Sequence, residues 1–231
     1  MEKLKIVIIF LCFSLAFISY LIGNAVAVKF THDFETGDLR GWTIIEGDVW
    51  DFQPTFGDYP TARNRGQPSQ HQGDWWIGGY EKYQGPDIGK KKGQVPGMIQ
   101  GDGPTGILES IKFRIIGDKI SFMISGGNHP WVEGGAGSTC VNLEIDGKMV
   151  RTATGMDTET FRTDSWDVAD LKGKMAVIRL YDKNSDGWGH INFDNVYQVD
   201  SKGAPIPWER VLAVDQSGKL ATTWGTVKSE Y

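Results

Sequence analysis

Short runs in which apolar and polar residues alternate recur along the second half of the chain. Alternation of this kind places apolar side chains on the buried face of a strand and polar ones on its exposed face. We therefore predict strands at 106–116, 119–125, 141–145, 148–152, 175–181 and 190–196. No long helical periodicity follows the N-terminal segment. The pattern therefore predicts an all-β fold, an antiparallel β-sandwich of the jelly-roll type.

The dipeptide Asp146-Gly147 separates two of these runs. Both central residues of a type I′ turn need positive φ angles, and Asp-Gly is one of the pairs that adopt them most readily. The dipeptide therefore predicts a hairpin between the strands at 141–145 and 148–152.

The first 27 residues have the composition of an export signal. Lys3 and Lys5 precede an apolar run from Ile6 to Ile22, and Ala25-Val26-Ala27 follows it. This order is typical of a secretory signal peptide. The alternative is an uncleaved membrane anchor, because the run approaches the ~20 residues that span a bilayer. We expect a secreted, periplasmic or cell-surface protein that contacts a membrane only if this segment is retained.

Two stretches lack a strand pattern. Residues 51–105 are rich in Gly, Pro, Gln and Asp with aromatic residues between them, which is typical of a long functional loop. The segment that begins at Asp200 reads Asp-Ser-Lys-Gly-Ala-Pro and then has little pattern. The predicted organisation is a signal peptide at 1–27, one β-sandwich module at 28–199, and a linker with a C-terminal tail at 200–231.

Charge and cysteine content narrow the functional class. The chain has 24 Lys and Arg against 29 Asp and Glu, a formal net charge of −5, which disfavours nucleic acid and anionic membranes as partners. Cys140 is the only cysteine after the predicted signal peptide, so we expect no intramolecular disulfide. We consider a bound cation as another means of stabilising the exported fold. The motifs of serine hydrolases, zinc proteases and nucleotide-binding enzymes are absent, which predicts a protein that is not an enzyme.

Acidic residues stand at both ends of the predicted module. The segment Asp33–Asp38 opens it and Phe193–Val196 closes it. The first and last strands of a jelly roll commonly lie close together. We therefore consider Glu35 and Asp194, with Asp33, as ligands of one structural calcium ion whose shell backbone carbonyls complete. The alternative is that they are ordinary turn and edge residues.

Three clusters of aromatic and polar residues lie beside Gly or Pro, where loops are expected. Trp and Tyr rings stack on the C–H faces of sugars, and Asn, His and Arg side chains bind hydroxyl groups. The alternative is that the Trp side chains belong to the core, which is common in sandwiches. The candidate ligand-binding residues are Trp75, Trp76, Tyr80, Asn128, His129, Trp131, Trp188 and His190, together with Arg151, for which a structural role is the alternative.

Five separated blocks occur in order and together resemble a known family. The blocks are Phe34–Trp42, Gly101–Ser110, Gly126–Pro130, Cys140–Gly155 and Trp188–Asp194. The series resembles the jelly-roll accessory module of bacterial levanase-like proteins of glycoside hydrolase family 32. The resemblance implies a galactose-binding-like sandwich that binds carbohydrate and lacks the levanase activity. The opening Phe34-Glu35 and the closing Phe193-Asp194 also resemble the calcium-binding ends of other jelly-roll carbohydrate-binding modules, which implies calcium ligation by Glu35 and Asp194. The insert at 131–139 is longer than the usual spacing in the levanase-like family.

Three functions follow from these observations. The preferred one is an exported, non-catalytic carbohydrate-binding module that recognises a polysaccharide or other glycan through loop aromatics. The second is a surface adhesion module that binds another protein through residues 51–105, since aromatic residues are also enriched at protein interfaces. The third, less favoured, is a glycoside hydrolase that uses a pair of carboxylates.

Overall fold

The computed structural model describes residues 30–86 and 93–212. The predicted signal peptide lies outside these residues. The strands are β1 (Trp42–Gly47), β2 (Thr55–Phe56), β3 (Trp75–Gly78), β4 (Gly106–Ser110), β5 (Phe113–Arg114), β6 (Lys119–Gly126), β7 (Thr139–Ile145), β8 (Lys148–Thr154), β9 (Thr158–Asp167), β10 (Met175–Asp182), β11 (Ile191–Val199) and β12 (Pro205–Ile206). Two 3₁₀ helices span Val49–Phe52 and Ala169–Leu171, and helix α1 spans Trp208–Leu212.

These strands form two sheets that pack face to face. The first sheet has the order β1-β4-β10-β7-β8, with β5 paired to β10. The second sheet has the order β2-β3-β11-β6-β9, with β12 paired to β11. The strand pairings are antiparallel. The predicted all-β antiparallel sandwich is confirmed.

Alternating side chains of the two sheets form one core between them. On β7, Val141 and Leu143 are fully buried in this core. Because side chains alternate along a strand, Cys140, Asn142 and Glu144 point to the opposite, outer face of the first sheet. Aromatic side chains fill much of the interior, and their rings contact one another in pairs that include Trp42–Phe193, Phe122–Trp166 and Phe113–Trp208.

The predicted strands and hairpin correspond closely to the structure. The turn between β7 and β8 has φ angles of 50° at Asp146 and 74° at Gly147, as a type I′ turn requires. The run predicted as one strand at 106–116 is divided into β4 and β5. Strand β9 is absent from the predicted set because Glu159, a charged residue, occupies a buried position and hides the alternation.

Two predicted segment boundaries need correction. The predicted linker at 200–231 begins inside the module, since β12 pairs with β11 and α1 buries Trp208 and Val211. The Trp208 indole N–H also donates to the carbonyl of Val196 at 2.9 Å. The stretch at 51–105, predicted as a long loop, contributes β2 and β3 to the second sheet.

The described part of the chain contains no helix with the length and apolar content needed to cross a membrane.

Candidate functional site

A groove crosses the outer face of the first sheet. Its larger part is a cavity of about 660 Å³ lined by β4, β7, β8, β10 and the loop between β6 and β7. A second cavity of about 320 Å³ adjoins it and shares Glu144, Gly147 and Arg179 with it. We call the two cavities together the outer groove. Each has a volume typical of a small-molecule site.

Two aromatic side chains line the larger cavity. Trp131, in the loop between β6 and β7, packs its ring edge-on against Tyr181 of β10, with ring centroids 4.7 Å apart and planes at 62°. Tyr181 is buried, whereas Trp131 is only half-buried. Part of the indole ring therefore remains available to a molecule in the cavity.

The loop that carries Trp131 is held in place by a glycine and a serine. Gly135 has a φ angle of +77°, and a Cβ atom there would lie 3.1 Å from the rings of both Trp131 and Tyr181. The Ser138 hydroxyl accepts the backbone N–H of Val132 at 3.0 Å and donates to the Pro130 carbonyl at 3.3 Å. These contacts fix the indole beside the cavity.

Charged side chains form the floor between the two cavities. The Arg179 guanidinium contacts Glu109 through Nε at 2.5 Å and Glu144 through a terminal nitrogen at 3.0 Å. The Tyr181 hydroxyl donates to the other oxygen of Glu144 at 2.7 Å. Glu144 therefore accepts a hydrogen bond on each of its two carboxylate oxygens.

These contacts shift the ionisation of two groove residues. Burial, followed by the hydrogen bond with Glu144, raises the pKa of Tyr181 to about 12. Burial alone would lower the pKa of Arg179, but its hydrogen bonds to Tyr181 and Glu109 and the charge of Glu144 raise that pKa above its usual value. The tyrosine is therefore neutral and the arginine charged at physiological pH.

Three of the predicted ligand residues come together elsewhere, around Arg65. The guanidinium carbon of Arg65 lies 3.9 Å from the ring centroid of Trp188 and 4.8 Å from that of Tyr80. The His190 ring lies 5.2 Å from the Tyr80 ring and 5.8 Å from the Trp188 ring, centroid to centroid. We call these four residues the aromatic–arginine cluster. The rings of Tyr80 and Trp188 therefore lie beside a cation of the protein itself, the Arg65 guanidinium.

His190 is fully buried in a network of charges, so the prediction that it binds a ligand directly is corrected. Its ring nitrogens lie 2.6 Å from Asp102 and 3.3 Å from Glu159. Burial would lower the pKa of His190, but the two carboxylates raise it to about 9. Burial would raise the pKa of Glu159, but His190, Arg65 and Arg63 lower it to about 2. Both groups are therefore charged across the physiological range.

More charges lie buried beside this network. The Arg63 guanidinium, whose side chain is fully buried, pairs with Glu81 at 2.9 Å and with Asp58 at 2.7 Å. Burial raises the pKa of Glu81 to about 7 despite the attraction of Arg63. Burial also raises the pKa of Asp182 well above its usual value, although the charge of His190 and the backbone N–H of Ile191 oppose this shift.

The structure places Trp75 and Trp76 in the interior, which corrects their predicted role in ligand stacking. Both lie in β3, with exposed fractions of 8% and 0%. Trp75 packs against Phe56, and Trp76 packs against Phe161. The Trp76 indole N–H also donates to the Gly57 carbonyl at 3.0 Å. Neither ring presents a face to solvent that a sugar ring could cover.

The remaining predicted ligand residues do not join one site. Asn128 is exposed, and its backbone N–H donates to Asp157 at 2.8 Å. His129 pairs with Thr139 across an isolated bridge beside the Trp131 loop. Arg151 contacts Asp170 at 2.6 Å and the Asp167 carbonyl at 2.9 Å. These contacts support the structural alternative for Arg151.

The predicted calcium ligands gather where the two ends of the module meet. Burial, and then the charges of Glu35 and Asp33, raise the pKa of Asp194 to about 8. Asp194 is fully buried, and its Oδ1 has no hydrogen-bond partner. The carboxylate of Glu35, however, already accepts the backbone N–H groups of Asp74 and Trp75 at 3.0–3.1 Å.

The fit to calcium is therefore partial. Within residues 30–86 and 93–212, no three or more His, Cys, Asp or Glu side chains form a group that could hold a metal ion. The Oδ1 atom of Asp194 has no hydrogen-bond partner, whereas Asp33 accepts the Glu35 backbone N–H on one oxygen at 3.3 Å. A calcium ion there would depend on backbone carbonyl oxygens for most of its ligands. Calcium binding remains a prediction.

Sequence reasoning missed the strand residues that line the outer groove. Tyr181, Arg179 and Glu144 lie within predicted strands at alternate positions, and this alternation puts them on the face opposite the core. The available signal was the pair Arg179 and Tyr181, a charged and an aromatic residue two positions apart on that face. Glu109, which pairs with Arg179, and Arg65, which lies in the aromatic–arginine cluster, had no local signal. Their contacts join segments that are far apart in the chain.

The chain is similar over part of its length to a known protein. No protein-family profile matches the chain. The chain is similar to the protein named "Putative glycosyl hydrolase ecdE" from Aspergillus rugulosus, with 41% identity over 99 residues. The match covers 43% of this chain and only 13% of that protein's length. The chain is therefore similar to a small part of a much larger protein.

Proposed function

We propose that this chain is an exported, non-catalytic carbohydrate-binding module and that the outer groove holds the glycan. The observation that carries the proposal is the half-buried Trp131 beside a cavity of about 660 Å³ that also contains charged, hydrogen-bonding side chains. An aromatic face supplies stacking to sugar C–H groups, and fixed polar groups supply hydrogen bonds to hydroxyls. The 41% identity to part of a protein named as a glycosyl hydrolase supports a carbohydrate-related role.

The hydrogen bonds and ion pairs of the groove carboxylates support binding without catalysis. A glycoside hydrolase needs one carboxyl group that holds a proton for the leaving oxygen. Glu144 accepts hydrogen bonds from Tyr181 and Arg179 on its two oxygens, and Glu109 is paired with Arg179. Both groups therefore already accept hydrogen bonds within the protein, and they can accept further ones from sugar hydroxyls.

A glycan array followed by affinity measurements tests this proposal. We expect selective binding of wild-type protein to a polysaccharide, weaker binding by Trp131→Ala, and unchanged binding by Met156→Ala. Met156 is a matched control because it is an exposed apolar residue outside the lining of the outer groove. Release of reducing sugars from the bound polysaccharide would instead favour a hydrolase.

The alternative is a surface adhesion module that binds another protein. Val95, in the stretch first predicted as an interface, is 58% exposed, which favours contact with an apolar patch on a partner. This function would be favoured if no glycan on the array bound and if wild-type protein captured a protein partner that Val95→Asp did not capture.

We also propose that residues 1–27 direct export. N-terminal sequencing of the protein recovered outside the cytoplasm should begin at or near Val28. Recovery of a membrane-bound protein that retains Met1 would favour the anchor.

A further inference from the structure

The central cation of the outer groove is already neutralised by the protein. Arg179 lines both cavities, and its guanidinium contacts Glu109 at 2.5 Å and Glu144 at 3.0 Å. The Glu144 side chain is only 3% exposed, whereas Arg179 is 30% exposed. Because a buried carboxylate that loses its partner is strongly destabilising, Arg179 is not free to turn toward a ligand.

The charged side chains that line the groove have no net positive charge. Among the lining side chains that the structure describes, carboxylates slightly outnumber cations. The carboxylates are Glu109, Glu133, Glu144 and Asp146, and the cations are Lys112, Lys148 and Arg179. An anionic ligand would therefore meet a net negative charge along the groove, which weakens its binding relative to a neutral ligand.

The two cavities also indicate the length of the ligand. They share Glu144, Gly147 and Arg179, so a chain lying beside Trp131 can continue over the Arg179 floor into the smaller cavity. Trp131 and Tyr181 line only the larger cavity, and the smaller one is lined by polar and aliphatic side chains. One sugar would stack on Trp131, and the following sugars would be held mainly by hydrogen bonds.

We infer that the outer groove selects an uncharged glycan chain several sugar units long and rejects uronate-containing or sulfated glycans. The selection against anionic glycans rests on Glu109 and Glu144, because their contacts with the Arg179 guanidinium keep it from binding an anionic ligand. The inference depends on the proposed function and specifies the ligand class of the same site. Hydroxyl groups of a neutral sugar can donate to Glu109, Glu133 and Asp146 without disturbing the Arg179 pairs.

Affinity electrophoresis provides the test. The wild-type protein is run through gels that contain levan, xylan or mixed-linkage β-glucan, and through gels with the carboxymethylated form of each. We expect retardation by at least one neutral polysaccharide and an affinity at least about tenfold weaker for its carboxymethylated form. Glu109→Gln releases one contact of Arg179 and should narrow this difference, whereas Met156→Ala should leave it unchanged.

Three results would overturn the inference, and they separate it from the proposed function. Equal or tighter binding of a carboxymethylated polysaccharide that Trp131→Ala weakens would refute the charge selection and leave glycan binding in place. Equal affinity for a disaccharide and a hexasaccharide of the bound glycan would refute the extended site. Absence of retardation by every neutral and carboxymethylated polysaccharide would refute both the inference and the proposed function.

Discussion

In the outer groove, Trp131 stands beside an open cavity, whereas in the aromatic–arginine cluster the rings of Tyr80 and Trp188 lie against Arg65. Both regions combine aromatic rings with charged side chains. They differ in what occupies the space beside the ring: a cavity in the first, and a guanidinium and an imidazole of the same chain in the second. The comparison indicates that the types of residue do not identify a binding site until the neighbours of each ring are known.

The two regions also differ in how far their charged side chains are exposed to solvent. One ion pair of the groove reaches the surface, since the side chains of Glu109 and Arg179 are 23% and 30% exposed. In the network beside the cluster, His190 and Glu159 have no exposure. We therefore expect substitutions in the groove to change binding, and substitutions in the buried network to change stability.

The largest expected effect is on the core tryptophan of β3. Trp76→Ala should lower the free energy of unfolding by about 3–5 kcal/mol, because a fully buried indole is replaced by a cavity. Chemical denaturation measures this change, and Trp131→Ala is the matched comparison, with a much smaller expected loss. If Trp76→Ala weakened glycan binding at unchanged stability, the assignment of this residue to the core would be wrong.

The buried charge network should be nearly as sensitive. Glu159→Ala removes one of the two carboxylates that pair with both His190 and Arg65 and leaves Asp102 as the other, which should lower the free energy of unfolding by up to about 3–5 kcal/mol. Glu133→Ala in the groove removes an exposed carboxylate and should change stability by less than about 0.5 kcal/mol. Equal losses from the two variants in urea unfolding would contradict the distinction between the two regions.

The pKa of His190 predicts how stability depends on pH. Its folded-state pKa of about 9 lies above the ~6.5 of an unfolded histidine, so the native state retains the proton longer. This stabilisation is fully present below about pH 6.5 and is lost as the pH rises through 9, by at most about 3 kcal/mol. Urea unfolding from pH 6 to 10, with NMR titration of the imidazole to assign the effect, would show it. An imidazole that titrates near pH 6.5 in the folded protein would contradict the network.

Calcium should have a smaller effect, present only if the ion binds where the chain ends meet. At a calcium concentration 100-fold above its dissociation constant, a bound ion adds about 2.7 kcal/mol to stability. Chelation should then lower the melting temperature, and Asp194→Asn, which keeps the shape of the side chain, should abolish this response. Identical melting curves with calcium and with chelator would exclude a structural role for the ion.

The fold was predictable because its signals are local. Alternation along β7 and β10 and the Asp146-Gly147 turn depend on neighbouring residues only. Trp76 was misplaced because Gly78, close to it in sequence, suggests a loop. In the structure Gly78 lies in β3, where a Cβ atom would be 2.6 Å from the Glu81 carboxylate and 2.7 Å from the Trp76 ring. That glycine permits close packing in a strand.

The candidate site was predictable only in part, because it depends on contacts between distant segments. Trp131 was identified from its type and its Gly-rich loop. Its partner Tyr181 belongs to a strand 50 residues later, and Arg179 is paired with Glu109 of β4, 70 residues earlier. No local pattern shows that a cavity opens between these residues, or that Arg65 covers the rings of Tyr80 and Trp188.

Isothermal titration calorimetry of wild-type and Trp131→Ala protein with the polysaccharide selected on the array tests the central claim most directly. We predict that loss of the indole weakens binding by about two- to tenfold, because an aromatic contact contributes roughly 0.5–1.5 kcal/mol beyond the area it buries. Trp188→Phe, in the aromatic–arginine cluster, and Met156→Ala should retain wild-type affinity. Undiminished affinity of Trp131→Ala, together with a loss in Trp188→Phe, would contradict the account and place the glycan at the cluster instead of the outer groove.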